Sequence, residues 1–173
     1  MFKNFFIGIL ALLIIFPFYA VGVISQENSN SQIVYSSAPI KKGESPDLPS
    51  QTRFLATDKI FARAYFPEKF GTLGVEEYGM VDFWIDGIFV KRFIFSNYDV
   101  SPSSKEMRLY IHNTGKDDFD PSYYSNLTKG NHKVQIVVGR NQIIQSIELN
   151  DKQKTQGKKY IRLAEGNFIF VVQ

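Results

Sequence analysis

Residues 78–95 read Tyr-Gly-Met-Val-Asp-Phe-Trp-Ile-Asp-Gly-Ile-Phe-Val-Lys-Arg-Phe-Ile-Phe, and this stretch decides the fold. Asp86-Gly87 separates two runs, Tyr78 to Ile85 and Ile88 to Phe95, that are rich in β-branched and aromatic side chains. An Asp-Gly pair suits the positive φ angles of a two-residue type I′ turn, whose twist matches that of paired strands. The bend also sets a register in which Ile85 faces Ile88. Phe83 then faces Val90 and Val81 faces Arg92 on one side, while Trp84 faces Phe89, Asp82 faces Lys91 and Met80 faces Phe93 on the other. The first side reads as aliphatic core. The second carries Tyr78, Met80, Trp84, Phe89, Phe93 and Phe95, interrupted by the Asp82 and Lys91 charge pair, an unusually aromatic composition for a face turned to water.

Outward from this ribbon, alternation with period two recurs from Thr52 to the C-terminus, and no stretch keeps apolar residues at helical spacing for three turns. Ile60, Ala62, Ala64 and Phe66 share one face of a strand, with Lys59, Phe61, Arg63 and Tyr65 on the other, and Pro67 ends it. Met107, Leu109 and Ile111 alternate with Arg108, Tyr110 and His112, and Val134, Ile136 and Val138 alternate with Lys133 and Gln135. Two further hairpins are expected. One turns near Gly139, Arg140 and Asn141 into Ile143 to Leu149; the other turns at Glu165, Gly166 and Asn167 between Tyr160 to Leu163 and Phe168 to Val172. The total is about eight strands without crossover helices. The expected fold is therefore all-β, an antiparallel β-sandwich, with a small β-barrel as the alternative.

Leu127, Gly130, His132, Val134 and Ile136, in Leu-Thr-Lys-Gly-Asn-His-Lys-Val-Gln-Ile, resemble the corner before a late strand in bacterial immunoglobulin-like and fibronectin-like sandwiches. The resemblance covers about a dozen residues and implies a topology, not an activity.

Ahead of the domain, Lys3 supplies a positive charge, and Phe5 to Ile24 is apolar apart from Gly8, Pro17 and Gly22. Residues 1–25 are read as a signal peptide, with Val23 and Ser25 small enough for a cut before Gln26. The alternative is a retained membrane anchor, since about 20 apolar residues also suffice to span the hydrocarbon layer. In both cases the remainder is exported, to the periplasm, the cell surface or the medium. Residues 26–50 are rich in Ser, Asn, Gln and Pro and read as a polar linker in which Ile33, Val34 and Tyr35 form a possible edge strand. Residues 51–173 form the β-sandwich domain.

The 173 residues include 20 basic and 17 acidic ones, dispersed along the chain, so no basic run tracks a phosphate backbone and nucleic acid is not an expected partner. The sequence contains no cysteine, which removes disulfides, thiolate metal sites, a thiol nucleophile and a lipidated cysteine.

Few residues gather into patterns that carry chemistry. His112 and His132 lack the His-Glu-x-x-His spacing of a metal site; His132 is expected inside, as a corner residue bonded to backbone, and His112 toward solvent. No Gly-x-Ser-x-Gly elbow, Walker loop, dinucleotide glycine fingerprint or internal repeat occurs. Asp117, Asp118 and Asp120, before Pro121, offer hard oxygen ligands to calcium, although their order is not that of an EF-hand and solvated turn residues give the same pattern. Tyr123 and Tyr124 follow, suited to stacking on a sugar ring or to packing under a sheet edge. Asn126-Leu-Thr128 matches an N-glycosylation tripeptide, which has meaning only in a eukaryotic secretory pathway.

The strongest binding candidate is the aromatic hairpin face, with Trp84, Phe89 and Phe93 framed by Asp82 and Lys91. Burial under the N-terminal segment or a long loop competes with exposure. The leading expectation is an exported non-catalytic module, using no cofactor, that binds an envelope or surface protein or polymer. The others are a carbohydrate-binding or hydrolase-accessory domain with calcium in the acidic loop, and a structural envelope domain touching the membrane only through an uncleaved N-terminal segment.

Overall fold

The computed structural model describes residues 31–115, 122–145 and 156–173. The export segment at 1–25, the acidic residues Asp117, Asp118 and Asp120, and the end of the strand expected at Ile143 to Leu149 lie outside the described residues. Among those described, no helix is long and apolar enough to cross a membrane.

Nearly all regular structure is strand. In chain order the strands are β1 (Gln32–Ser36), β2 (Arg53–Leu55), β3 (Ile60–Tyr65), β4 (Gly79–Ile85), β5 (Ile88–Phe95), β6 (Glu106–His112), β7 (Gly130–Gln145) and β8 (Gln156–Val172). One short helix, α1 (Ser122–Ser125), lies between β6 and β7. The strands form two sheets, one of three strands in the order β1-β3-β6 and one of five in the order β2-β8-β7-β4-β5. All pairs are antiparallel except β2 with β8, which is parallel and so departs from the wholly antiparallel sheets expected.

The alternation that reads as strand in the sequence becomes the interior. Ile60, Ala62 and Ala64 of β3, Leu109 and Ile111 of β6, Val81, Phe83 and Ile85 of β4, Val134, Ile136 and Val138 of β7, and Phe168 and Phe170 of β8 join one apolar core drawn from both sheets. Tyr35 of β1 reaches across to Phe168, with ring centroids 5.0 Å apart. Burying one such large side chain stabilises the fold by about 1.5–3 kcal/mol, so this alternation outweighs any single loop interaction. The expected edge strand at Ile33 to Tyr35 is β1, with all three residues buried. The folded unit therefore reaches back to Gln32.

Asp86 and Gly87 have φ of 51° and 79°, the two positive values that a type I′ turn demands. Beyond the turn the register departs from expectation. Ile85 pairs with Ile88 and Trp84 with Phe89, but a β-bulge then makes Val90 an extra residue, so Phe83 meets Lys91, Asp82 meets Arg92 and Val81 meets Phe93.

The two later hairpins are also different. β7 runs through Gly139 to Asn141 and β8 through Glu165 to Asn167 without turning, and the two pair along almost their whole length. The glycines mark close approach, not bends. A Cβ on Gly166 would lie 2.8 Å from the Ile33 Cβ and from the Tyr35 hydroxyl, where the two sheets meet. One on Gly139, beside a bulge, would lie 2.6 Å from the Tyr160 ring laid over it.

The chain between β1 and β2 covers part of the outer face of the three-stranded sheet and leaves Arg108 exposed. Ile40 packs with Val34 and Tyr65, and its carbonyl accepts a 2.6 Å hydrogen bond from the buried Arg63. Arg63 also faces Glu106 at 3.3 Å.

Candidate functional site

The outer face of the five-stranded sheet is partly open: Met80, Asp82 and Val137 are buried on it, while Phe89, Arg92, Tyr160 and Arg162 reach water. On it β4 presents Asp82 and Trp84, β7 Gln135 and Val137, and β8 Tyr160 and Arg162; these residues, with Gly87 of the turn and Arg92 of β5, line a shallow groove of about 360 Å³. The β-bulge is what brings Arg92 here: by shifting β5 one residue, it sets Arg92 and not Lys91 across from Asp82. Arg92 donates from Nε to Oδ1 at 2.6 Å and from its terminal nitrogen to Oδ2 at 2.8 Å, a bidentate pair. The carboxylate is buried, whereas the Arg92 side chain remains 42% exposed. Beside this pair Glu165 accepts hydrogen bonds from Gln135 and Arg162, forming a second cross-strand polar chain.

Aromatic rings frame these charges. Trp84 meets Phe89 edge-on, with centroids 5.2 Å apart, and Phe89 is 45% exposed. Tyr160 is 43% exposed. Partial burial, and next the Asp82 carboxylate, raise its phenol above the ordinary value.

Of the three aromatics expected on one platform, the structure brings together Trp84 and Phe89 and separates Phe93. The bulge turns Phe93 to the side of Val81, where it packs against the core. Lys91 moves with it, its ammonium 4.8 Å from the Phe93 ring centroid and 5.4 Å from that of Tyr123.

Of the two uses open to Tyr123 and Tyr124, packing is the one Tyr124 takes. Tyr124 points inward, fully surrounded by Phe83, His112 and Phe170, and its burial drives its phenol well above the usual range. It cannot offer a ring to a ligand at the surface. Tyr123, half-buried, belongs to the Lys91 and Phe93 cluster.

His112, expected toward solvent, is buried between Tyr124 and Phe170 and bonded through Nε2 to the Ala56 carbonyl at 2.9 Å. Desolvation lowers its pKa. His132 is the corner residue expected, with Nε2 2.8 Å from the Thr128 carbonyl, and Nδ1 also lies 2.7 Å from the Asp86 carboxylate. Its pKa is raised by the Thr128 carbonyl first and by Asp86 next. Among the described residues, no three of His, Asp and Glu converge to hold a metal ion.

Arg92, Gln135, Tyr160, Arg162 and Glu165 escaped the sequence reading. Tyr160 and Arg162 alternate with Ile161 and Leu163, so their shared face is visible in the sequence once the strand is recognised as continuous. Arg92 carries no comparable signal, because its face depends on the bulge.

The chain matches no protein family, no curated protein and no solved structure with which it was compared.

Proposed function

We propose that this chain is an exported, non-catalytic binding module whose contact surface is the outer face of the five-stranded sheet. In this reading the two sheets form a sandwich of the immunoglobulin-like or fibronectin-like kind, as the corner at Leu127 to Ile136 suggests, and Phe5 to Ile24 carries the chain out of the cytosol. The partner is a protein or polymer of the cell envelope or surface, and binding needs no cofactor.

The observation that carries the reading is the groove on the outer face of the five-stranded sheet, where aromatic rings and paired charges stand side by side. On this face Trp84, Phe89 and Tyr160 stand beside guanidinium and carboxylate groups already held in place, Arg92 by a cross-strand pair with Asp82 and Arg162 by a bond to Glu165 within β8. Side chains fixed in advance lose little entropy on binding, and aromatic and arginine residues dominate the energetics of recognition surfaces.

Hydroxyl-radical footprinting of the exported chain, with and without a native envelope fraction, tests it. Protection of Trp84, Phe89 and Tyr160, with Tyr98 on its loop unchanged, is the expected result; Tyr98 is fully exposed and serves as the reference. Protection confined to the three-stranded sheet or to the loops overturns it.

A further inference from the structure

The groove on the five-stranded sheet has a charge pattern that selects among ligands. Its two arginines are each committed to a carboxylate of the same sheet, Arg92 to Asp82 and Arg162 to Glu165, so the groove carries polar groups without net charge. A strongly ionised ligand finds no uncompensated field there, and capturing one would require breaking a bidentate pair whose carboxylate is buried.

The bonding capacity that remains is nonetheless high. Bonds to Asp82 engage two of the five N–H donors of Arg92, and its side chain is 42% exposed at the groove. Arg162 is 60% exposed, and Gln135 lies beside it on the shared Glu165. Tyr160 adds a hydroxyl that acts as both donor and acceptor, and burial first and Asp82 next raise its pKa further above the ordinary phenol value. Around these donors and acceptors, Trp84 and Tyr160 supply ring surface. The volume, about 360 Å³, falls at the lower end of the range of roughly 300–1,000 Å³ for small-ligand sites.

A ligand matching all of this is uncharged, carries paired hydroxyls that both give and accept hydrogen bonds, and has apolar C–H faces that pack on the electron-rich face of an aromatic ring. We infer that the groove binds a neutral glycan chain, one or two sugar rings lying on Trp84 and Tyr160 while their hydroxyls bridge Arg92, Gln135 and Arg162. The groove is open rather than closed around its occupant, which suits an internal segment of a polymer more than a chain end. This rests on the outer face being the binding surface, and it names the class of ligand that surface takes.

Affinity electrophoresis of the exported chain through gels containing single polysaccharides tests the inference, with dextran, galactomannan, xyloglucan and mixed-linkage β-glucan as neutral probes and polygalacturonate and heparin as anionic ones. Retardation by at least one neutral probe is expected, weakened about tenfold or more in W84A and in Y160A. Ile88→Ser leaves it unchanged, because Ile88 is exposed on the same hairpin but outside the groove. Circular dichroism and urea midpoints of the variants confirm that each is folded. Binding to the anionic probes alone, or no retardation by any neutral probe, overturns the glycan assignment. If the envelope fraction still protects Trp84 and Tyr160 in that case, the partner on this face is a protein and the binding surface stands. Loss of both results removes the surface as well.

Discussion

Each sheet places an arginine against a carboxylate on its outer side, yet only one of these pairs lies beneath the chain between β1 and β2. On the three-stranded sheet, Arg63 and Glu106 are almost fully buried, with the chain between β1 and β2 laid over them. That segment supplies Ile40 to the apolar cluster, its carbonyl to Arg63, and the amide of Gly43 to Glu106 at 3.0 Å. On the five-stranded sheet the Arg92 and Arg162 side chains stay in contact with water. The same pairing of charges therefore serves two ends. Where a loop of the chain covers the pair, desolvation turns it into a fastener of that loop; where no described loop lies over it, the pair holds an arginine in place at the surface.

The contrast is most easily broken at Glu106. Replacing it with alanine leaves Arg63 buried without its carboxylate and deprives the Gly43 amide of its acceptor. The expected cost is about 3–5 kcal/mol, read as a lowered urea midpoint with the slope unchanged. A loss below about 1 kcal/mol would mean that the Arg63 pair is as lightly held as a surface pair, and that the two faces do not differ in kind.

A second comparison sets the two strand glycines against each other. Gly166→Ala pushes a Cβ into Ile33 and Tyr35 at the junction of the sheets, where neither neighbour has room to move, and should cost about 1–3 kcal/mol. Gly139→Ala first meets the Tyr160 ring, a side chain that is 43% exposed and has solvent to move into. Its expected cost is under about 1 kcal/mol, and the displaced ring should weaken whatever the groove binds. Equal losses at both sites would show that the outer face is packed as firmly as the interior.

These glycines also explain what the sequence could and could not tell. Period-two alternation sufficed to place Val81, Phe83, Ile85, Val134, Ile136 and Val138 in the core, because a strand buried on one face writes that face into every second residue. Asp86-Gly87 was legible for an equally local reason, its positive φ angles. Gly139-Arg-Asn and Glu165-Gly-Asn have the composition of turns, but their glycines answer to Tyr160 and to Tyr35, one on the strand alongside and the other more than 100 positions away in the chain. The bulge at Val90 is hidden in the same way. Its residue types do not distinguish a continuous ladder from a shifted one, and the shift decides that Arg92 joins the groove while Phe93 and Lys91 leave it. His112 and Tyr124 point the same lesson inward, since a polar residue alternating outward on paper is buried once a short helix closes over it.

At the groove itself the expected stability effects shrink. Arg162→Ala removes a pair in which the arginine is 60% exposed, and thermal or urea unfolding should change by only about 0.2–1 kcal/mol. The same variant should lose affinity for the groove's ligand by a larger factor than this stability change would suggest. A large stability loss with unaltered binding would reverse the roles assigned to the two faces.

The smallest effect concerns the corner that joins the Asp86-Gly87 turn to β7. His132 there lies between the Thr128 carbonyl and the Asp86 carboxylate, two acceptors that are both satisfied only when the ring carries two N–H donors. Its folded-state pKa is raised above 6.5, so the protonated ring stabilises the fold in full below that value, and the contribution is lost as pH rises through the higher folded-state value. Asp86 is shifted the opposite way, lowered from 3.8 by His132 first and the Lys133 amide next, so its share is present above 3.8 and lost only as pH falls through the depressed value. The corner is therefore tightest in mildly acidic solution. Urea unfolding of the wild type and of His132→Gln should show a wild-type advantage there that fades as the solution turns alkaline. An advantage that instead grew with pH would show that the ring is held neutral, with the Asp86 carboxylate bonded through a single N–H.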